Sequence, residues 1–413
     1  MPLPTVLLRA GQRLWPWHRA LLGALWVLVQ AGFLLKFHGP HFANDSQRYL
    51  DYAANVAAHG SYQFEQPLPV RELSPELPNP ATYQYEHMQR YILYAWFASV
   101  WLKLGAGRWG IVLGQIVLSG LAAATLYGAV RRLAQGRRGA AALATALFIL
   151  WPDIQQFNCY LLTESLFISL SVLSFAALVR VQAAGRWAWG RLGLLLLLVA
   201  LVRPNGFVLG VAALLAGLAY LRQRPDQRLF WRVVAGLVVA MPLVLVALNY
   251  QLKSFLIVET YQRGELMFGT SAWAVHAAAP LAMPSPGTGQ VLRMLYFTTH
   301  NLWFMLRLVA GRLFVFVTGL KPYYSWAHLL LNVLILWPLY WLAARGTQLA
   351  DVWKPARVFL LGVPLLQAVV VMLTVDDWDV RFQAPVLPFV FVLAALQLAS
   401  STRQPQASSV ATQ

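Results

Sequence analysis

The sequence predicts an all-α polytopic membrane protein with about ten transmembrane helices, because it is apolar, poor in charge and built from long apolar runs. Of its 413 residues, 59% are hydrophobic and only 11% are charged, whereas a soluble protein carries about a quarter charged residues. Runs such as 21–35, 111–130 and 233–249 approach the roughly 20 residues that cross a bilayer. The polar segment 401–413 is expected to be a disordered cytoplasmic tail.

Basic residues mark one face of the predicted membrane protein. They cluster in short loops between apolar runs, at 131–138, 180–191, 222–232 and 345–357, as is typical of cytoplasmic loops. The net charge of +17 is therefore explained by topology and by contact with anionic membrane lipids, and no nucleic-acid partner is expected. The single cysteine, Cys159, excludes an internal disulfide.

Placing all the basic loops on one side of the membrane determines the order of the spans. Segments 88–104 and 300–319 carry basic residues and are interpreted as interfacial helices, although 88–104 can alternatively cross the bilayer. The first run lacks a convincing cleavage site and is expected to be a retained span. The ten predicted spans, with both termini in the cytoplasm, are 19–37, 109–130, 139–152, 162–181, 188–202, 205–221, 232–252, 326–344, 357–375 and 384–400.

The chain divides into two predicted modules. Residues 1–253 form a seven-span module with a large first external loop, 38–108. Residues 254–400 form a C-terminal module with an external loop, 254–325, and three spans. The external face also receives 153–161, the turn at 203–206, and 375–383.

The stretch after the first span, "HFANDSQRYLDYAANVAAHGSYQFEQP", is polar, aromatic and acidic. It predicts a short helix with Asn44 as the N-cap and Gly60 at its end. On that helix Asp45, Tyr49 and Tyr52 share one face. Alternatively, Asp45 only complements the helix dipole, which leaves the two tyrosines below it unexplained.

Three more ionisable residues interrupt apolar sequence. Glu164 opens a run in "LLTESLF", where a charge is costly and commonly functional; alternatively it complements a helix dipole at the interface. Arg203, in "LVRPNGF", breaks a run too long for one span, or it is a snorkelling side chain. Arg381 lies among three aspartates in "DDWDVRFQAPVLP", where the alternative is a satisfied ion cluster.

Taken together, the acidic helix, "LLTESLF", "LVRPNGF" and "VRFQAPVLP" resemble the GT-C glycosyltransferases. The most similar groups are the bacterial relatives of protein O-mannosyltransferases and of lipid A aminoarabinose transferases. The resemblance covers most of the chain as an ordered set of landmarks. It implies a seven-span module whose large first external loop bears two interfacial helices, and the span count before residue 253 agrees with this.

The resemblance also implies an activity. Such enzymes take a hexose or pentose from a polyprenyl-phosphate carrier and attach it to a lipid, glycan or protein acceptor. The reaction is expected at the outer, periplasmic face of a bacterial cytoplasmic membrane.

The family's catalytic loop acid falls on Asp45, which is expected to be the general base for the acceptor hydroxyl. Many relatives have an Asp-Glu pair there, whereas this chain has Asp45-Ser46; a metal site is therefore not supported and no cofactor is expected. Arg203, Arg381 and Lys321 are expected to bind the donor phosphate, with Lys321 in "KPYYS" standing where relatives have an arginine.

Further residues are expected to contact the sugar or the acceptor. Asp153, in "WPDIQQF", matches a second loop acid of some relatives. The expected substrate-binding residues are Tyr49, Glu164, Asp153, His87 and Asp379. Aromatic rings that can stack on a sugar are Tyr83, Tyr85 and Trp378.

Two other classes of function stay open. A polysaccharide polymerase or O-antigen ligase would use a diphosphate-linked donor and usually has its large external loop late in the chain; this chain has loops at both positions. A secondary transporter would place ionisable groups near mid-bilayer in two similar halves, and no such halves are evident.

Overall fold

Every apolar run predicted to span the membrane forms a helix in the computed structural model. The structure describes residues 17–43, 45–62, 91–182, 185–252, 255, 257–270, 273–375 and 379–401. Its helices are α1 (His18–Phe37), α2 (Ser46–His59), α3 (Ile92–Lys103), α4 (Gly107–Leu133), α5 (Arg138–Leu150), α6 (Glu164–Val181), α7 (Gly185–Val202), α8 (Phe207–Arg222), α9 (Arg228–Leu252), α10 (Ile257–Gln262), α11 (Gln290–His300), α12 (Leu302–Thr318), α13 (Trp326–Gly346), α14 (Lys354–Leu373) and α15 (Leu387–Ser401).

Seven helices of the described part are long and apolar enough to cross a membrane, namely α1, α4, α6, α8 with its leading turn, α9, α13 and α14. The pair α11 and α12, bent by 108°, would add an eighth. Helices α5, α7 and α15 coincide with the other three predicted spans, and α5 and α15 are short, with 13 and 15 residues. The all-α polytopic class is thus confirmed, whereas the count of ten spans stays a prediction.

Helices α6 and α15 lie at the centre of the bundle. Almost every residue of α6 is buried, and α6 packs between α4 and α7, while α15 packs on α5 and α13. The rings of Phe175, Phe359 and Phe389 meet with centroids 5.7 to 6.1 Å apart. Residues before and after position 253 therefore share one apolar core; the division into two modules stays a prediction.

Helix α3 supports the interpretation of segment 88–104 as an interfacial helix. It has 12 residues, about 18 Å at 1.5 Å per residue, against the roughly 30 Å of the hydrocarbon core. It packs on α2 of the same loop. Residues 88–90 lie outside the described part of the chain.

The segment before α13 contains a small apolar core of its own, built from residues of α10, α11 and α12. Arg312, which suggested that 300–319 is interfacial, is fully buried there and donates from Nε to the Glu265 carbonyl at 2.8 Å. Arg307, in contrast, is exposed. Tyr261 joins this core to the end of α14 by donating its hydroxyl to the Leu373 carbonyl at 2.5 Å.

Two local signals in the sequence end helices where the site requires it. Gly60 ends α2 in the left-handed conformation (φ 68°), as predicted. Pro204 forces Arg203 into an extended conformation (φ −147°, ψ 143°) after α7. A Cβ on Gly206 would lie 2.6 Å from the Val199 carbonyl oxygen, so only glycine lets the chain turn this tightly into α8.

The first external loop and the segment after α5 are tied together by backbone hydrogen bonds. The His41 amide donates to the Cys159 carbonyl at 2.8 Å, and the Leu161 amide donates to the His41 carbonyl at 3.0 Å. The rings of His41 and Tyr160 meet edge to face. The start of α2 and the start of α6 are therefore held at the same end of the bundle.

Candidate active site

Four charged side chains form a continuous network at this end of the bundle. Arg381 donates from Nη1 to Asp45 Oδ2 at 2.8 Å and from Nε to Glu164 Oε1. Arg203 donates from Nη1 to the same Glu164 oxygen at 2.7 Å. The chain Asp45–Arg381–Glu164–Arg203, called the ion network below, holds two carboxylates and two guanidinium groups.

Each member of the ion network is placed by the start or end of a helix. Asp45 immediately precedes α2 and Glu164 is the first residue of α6. Arg203 occupies the extended residue between α7 and its proline turn, and Arg381 lies in the turns that lead into α15. The network therefore collects four segments that are far apart in sequence.

Burial in the ion network is greatest at Glu164 and Arg203 and lowest at Asp45. The Glu164 and Arg203 side chains are 0% and 6% exposed, whereas those of Arg381 and Asp45 are 13% and 23% exposed. Since a charge without a partner is far more costly inside the protein than at its surface, the Glu164–Arg203 pair is the more structural of the two. The Arg381–Asp45 pair lies at the rim, where a ligand can reach it.

These contacts bear on two of the alternatives left open by the sequence. The snorkelling interpretation of Arg203 is wrong, because its guanidinium is buried between the rings of Phe167 and Phe382 and paired with Glu164. The Asp45 side chain makes no capping hydrogen bond to α2 and is paired with Arg381 instead. Asp45 is itself the N-cap of α2, the position that the sequence predicts for Asn44, so it also complements the helix dipole.

A cluster of tyrosines lies beside the ion network. The Tyr49 ring meets Tyr91 and Tyr94 edge to face, with centroids 5.4 and 5.3 Å away. Burial, followed by the nearby Tyr91 and Asp45, raises the pKa of the Tyr49 hydroxyl well above its ordinary value. Burial also raises the pKa of Tyr91 to about 12. Both groups are neutral at physiological pH, and no residue in the described part of the chain hydrogen-bonds the buried Tyr49 hydroxyl.

Asp379 and Lys321 support the turn that carries Arg381. The Arg381 amide donates to Asp379 Oδ1 at 2.9 Å, and Lys321 Nζ donates to the Asp379 carbonyl at 2.6 Å. The Lys321 residue is only 3% exposed. In this structure Lys321 thus holds the Arg381 turn, and its role in phosphate binding stays a prediction.

Asp153 lies outside the ion network and is paired with a residue that the sequence analysis missed. Asp153 is 4% exposed, and its Oδ2 lies 3.3 Å from His328 Nε2. The His328 ring stacks on Tyr324 at 4.0 Å. His328 follows the "KPYYS" stretch by three residues, so the available signal was the continuation of that motif into α13.

A buried amide network, also missed, fixes the segment between α5 and α6. The Asn158 amide donates to Gln30 and Gln155 at 3.1 and 3.0 Å, and its oxygen accepts from Ser165 at 2.6 Å. Gln115 donates to the backbone carbonyls of 158 and 160. Glutamines inside apolar runs of α1 and α4 were the signal in the sequence. The network sets the position of Glu164 by fixing the chain just before it.

The remaining expected residues cannot be placed. His87, Tyr83, Tyr85 and Trp378, with Asn44, lie outside the described residues. Within the described ranges, no three His, Cys, Asp or Glu side chains come together closely enough to hold a metal ion. The expectation of no cofactor stays a prediction.

The fold and the ion network together describe a polytopic helical protein with a charged site at the ends of its helices. Residues 89–250 match the model of the family described as dolichyl-phosphate-mannose-protein mannosyltransferase. This match covers less than half of the chain and includes Glu164 and Arg203. It confirms the resemblance to the GT-C superfamily and supports a membrane glycosyltransferase. No curated protein matches the chain.

Proposed function

We propose that the protein transfers a sugar from a polyprenyl-phosphate carrier to a hydroxyl of a lipid, glycan or protein acceptor. The observation that supports this most strongly is the ion network, because it pairs a rim carboxylate with arginines in a protein similar to membrane glycosyltransferases. We further propose that the site faces the periplasm of a bacterial cytoplasmic membrane. The reason is that the basic loops, which are typical of the cytoplasmic side, lie at the end of the bundle opposite to the ion network.

The donor phosphate is proposed to bind Arg203 and Arg381. A guanidinium group carries five N–H donors, and within the described residues Arg203 uses one of them, toward Glu164. The two carboxylates of the ion network balance the charges of its two guanidinium groups. Because Glu164 orients both arginines, their guanidinium groups are already in place to bind a phosphate.

Phosphate binding is proposed to release Asp45 from its pair with Arg381. The pair lies at the rim, where breaking it costs less than at a buried position. The phosphodiester of the donor carries one negative charge and presents two free oxygens to the Arg381 guanidinium, which can bind both. Its charge grows as the bond to the sugar breaks, so the contact with Arg381 strengthens during transfer. Once free, the Asp45 carboxylate can accept a proton from the acceptor, which it cannot do well while bound to an arginine.

The transfer step is a substitution at the anomeric carbon. The acceptor oxygen forms the new bond to this carbon while its proton passes to Asp45 Oδ2. The bond between the anomeric carbon and the phosphate oxygen breaks, and the electron pair leaves with the polyprenyl phosphate. Arg381 and Arg203 stabilise the charge that grows on this leaving group.

The tyrosine cluster is proposed to bind the sugar. The Tyr49 hydroxyl is neutral and buried, and it has no partner among the described residues, so it can hydrogen-bond a sugar hydroxyl next to the ion network. Asp153 and Asp379 are proposed to act nearer the acceptor, Asp153 with His328.

The test compares a substitution of Asp45, just before α2, with a substitution of Asp51, on α2 itself. Asp45→Asn should reduce transfer from a polyprenyl-monophosphate sugar to a few per cent of wild type, since general-base catalysis typically contributes about 10²–10⁴-fold. Donor binding and melting temperature should change little. Asp51→Asn is the matched control, because Asp51 lies on α2 and accepts from Gln47 at 2.8 Å, apart from the network.

Two results would contradict the proposal. If Asp45→Asn retains a large part of the wild-type turnover, Asp45 is not the base. If wild-type protein consumes a polyprenyl-diphosphate oligosaccharide and no monophosphate donor, the protein is a polymerase or ligase instead.

A further inference from the structure

A basic cavity lies at the end of the bundle opposite to the ion network. Helix α6 connects the two places: Glu164 begins it at the ion network, and Gln182, which follows its last residue, lines the cavity. The 18 residues of α6 correspond to about 27 Å. The cavity has a volume of about 350 Å³ and is thus separate from the site described above.

Four segments of the chain supply the lining. They are the ends of α4, α6 and α8 and the start of α14. The polar lining residues are Arg132, Gln135, Gln182, Gln223, Asp351, Lys354 and Arg357. Three positive side chains therefore face one carboxylate.

Most of the donors in this cavity are unused. Arg132, Gln135, Gln182 and Lys354 are exposed, and no residue in the described ranges offers their side chains a hydrogen bond or an ion pair. Arg357 donates from Nη1 to the Thr347 carbonyl at 3.3 Å, and its buried Nε has no partner among the residues that the structure describes. A buried donor without an acceptor is unfavourable, so the lining is suited to a ligand that supplies acceptors.

We propose that this cavity binds the phosphate of an anionic phospholipid headgroup. Guanidinium groups match phosphate oxygens in a bidentate manner, and the glutamine amides can bond headgroup hydroxyls. Basic pockets between transmembrane helices on the positively charged side are suited to such headgroups. The volume falls within the roughly 300–1,000 Å³ of small-molecule sites. A free organic phosphate shares this chemistry, and the experiment distinguishes the two sources.

The bound headgroup would join parts of the chain that are distant in sequence. Arg132 lies in the last turn of α4, within the first predicted module, whereas Lys354 and Arg357 lie in the first turn of α14, in the second. A ligand that binds residues of both predicted modules only in the folded protein stabilises the folded state by mass action. This inference does not depend on the proposed transferase activity.

The test uses the double variant Arg132→Gln/Lys354→Gln. Both side chains are exposed and have no hydrogen bond or ion pair with the described residues, so the variant should fold normally. Arg138→Gln/Arg228→Gln is the matched control: it removes the same charge from exposed residues at the same end, outside the cavity lining. Short-chain phosphatidylglycerol, short-chain phosphatidylcholine and inorganic phosphate are titrated separately onto detergent-solubilised protein. Native mass spectrometry and the melting temperature are the readouts.

Phosphatidylglycerol should bind and raise the melting temperature of the wild type and of the control variant, whereas its affinity for the double variant should fall about tenfold or more. Binding of inorganic phosphate with the same dependence on Arg132 and Lys354 would assign the site to free phosphate as well. Equal affinities of both double variants, or equal binding of phosphatidylcholine, would overturn the proposal.

Discussion

Removal of the Arg381 side chain should separate donor binding from folding. Arg381 joins Asp45 to Glu164, and its side chain is 13% exposed. In Arg381→Ala, Glu164 keeps its bond to Arg203, and Asp45 is partly solvated. The cost in unfolding free energy should therefore be about 1–2 kcal/mol, between the values for exposed and buried ion pairs.

Donor affinity should fall much more than stability in Arg381→Ala. Loss of one partner of a buried charge pair at a binding site costs about 2–4 kcal/mol. This corresponds to an increase of about 30- to 1,000-fold in the Kd for the donor. Arg381→Lys should recover only part of the affinity, because lysine keeps the charge but loses the bidentate geometry.

Arg203→Met should lower stability more than Arg381→Ala does. It leaves the Glu164 carboxylate, which is 0% exposed, with only the rim arginine as a partner. We expect a loss of about 3–5 kcal/mol in unfolding free energy. The double variant Arg203→Met/Glu164→Gln should regain much of this stability, since no buried charge is left unpaired.

The assay is a titration of a polyprenyl-monophosphate sugar on each solubilised variant, together with a melting curve of the empty protein. Arg307→Ala is the control, because Arg307 is an exposed arginine on α12. Wild-type donor affinity in Arg381→Ala, combined with a stability loss as large as that of Arg203→Met, would refute the reasoning. Arg381 would then be a structural residue, and Lys321 would become the candidate for phosphate binding.

Two further predictions concern topology and pH. Cysteines introduced at Gln223 and Ser61 should be labelled by a membrane-impermeant thiol reagent from opposite sides; labelling of both from one side would contradict the placement of the loops. The native Cys159 should stay unlabelled near neutral pH, because burial raises the pKa of its thiol to about 11. Burial raises the pKa of Tyr91 to about 12, so its contribution to the free energy of unfolding should be complete below pH 10 and lost as the pH rises toward 12. The loss should be up to about 1.4 kcal/mol per pH unit. A Tyr91→Phe variant that loses stability with pH as steeply as the wild type would contradict this.

Much of the fold could be predicted from the sequence because membrane insertion depends on local composition. An apolar run of sufficient length forms a helix wherever it stands, and Gly60 and Pro204 end helices for local steric reasons. Helices α5, α7 and α15 were located correctly although α5 and α15 are shorter than a typical span. The apolar runs do not determine which helices pack against one another. That α6 and α15 lie at the centre depends on which faces fit together.

The site was predictable in its members but not in its pairing. Asp45, Glu164, Arg203 and Arg381 stand out because each places a charge beside apolar sequence, where charge is costly. Which carboxylate meets which arginine depends on tertiary structure. His328 was missed because a histidine two residues inside an apolar helix has an ordinary local context. Its distinction is the neighbouring Asp153, 175 positions earlier in the chain and 3.3 Å away in the fold.

The sequence separations within the ion network carry a consequence for biosynthesis. Glu164 and Arg203 are 39 residues apart, whereas Asp45 and Arg381 are 336 apart. When the ribosome has made α6 and α7, the buried carboxylate already has a cation beside it, and the half-made bundle need not hold a naked charge in the bilayer. The partner of Asp45, Arg381, is translated only after nearly the whole chain has been made. In a nascent chain that stops before Arg381, the carboxylate at the centre of the bundle is therefore already neutralised, whereas the rim carboxylate has no arginine to orient it. The ion network is complete only when the segment that leads into α15 has been made.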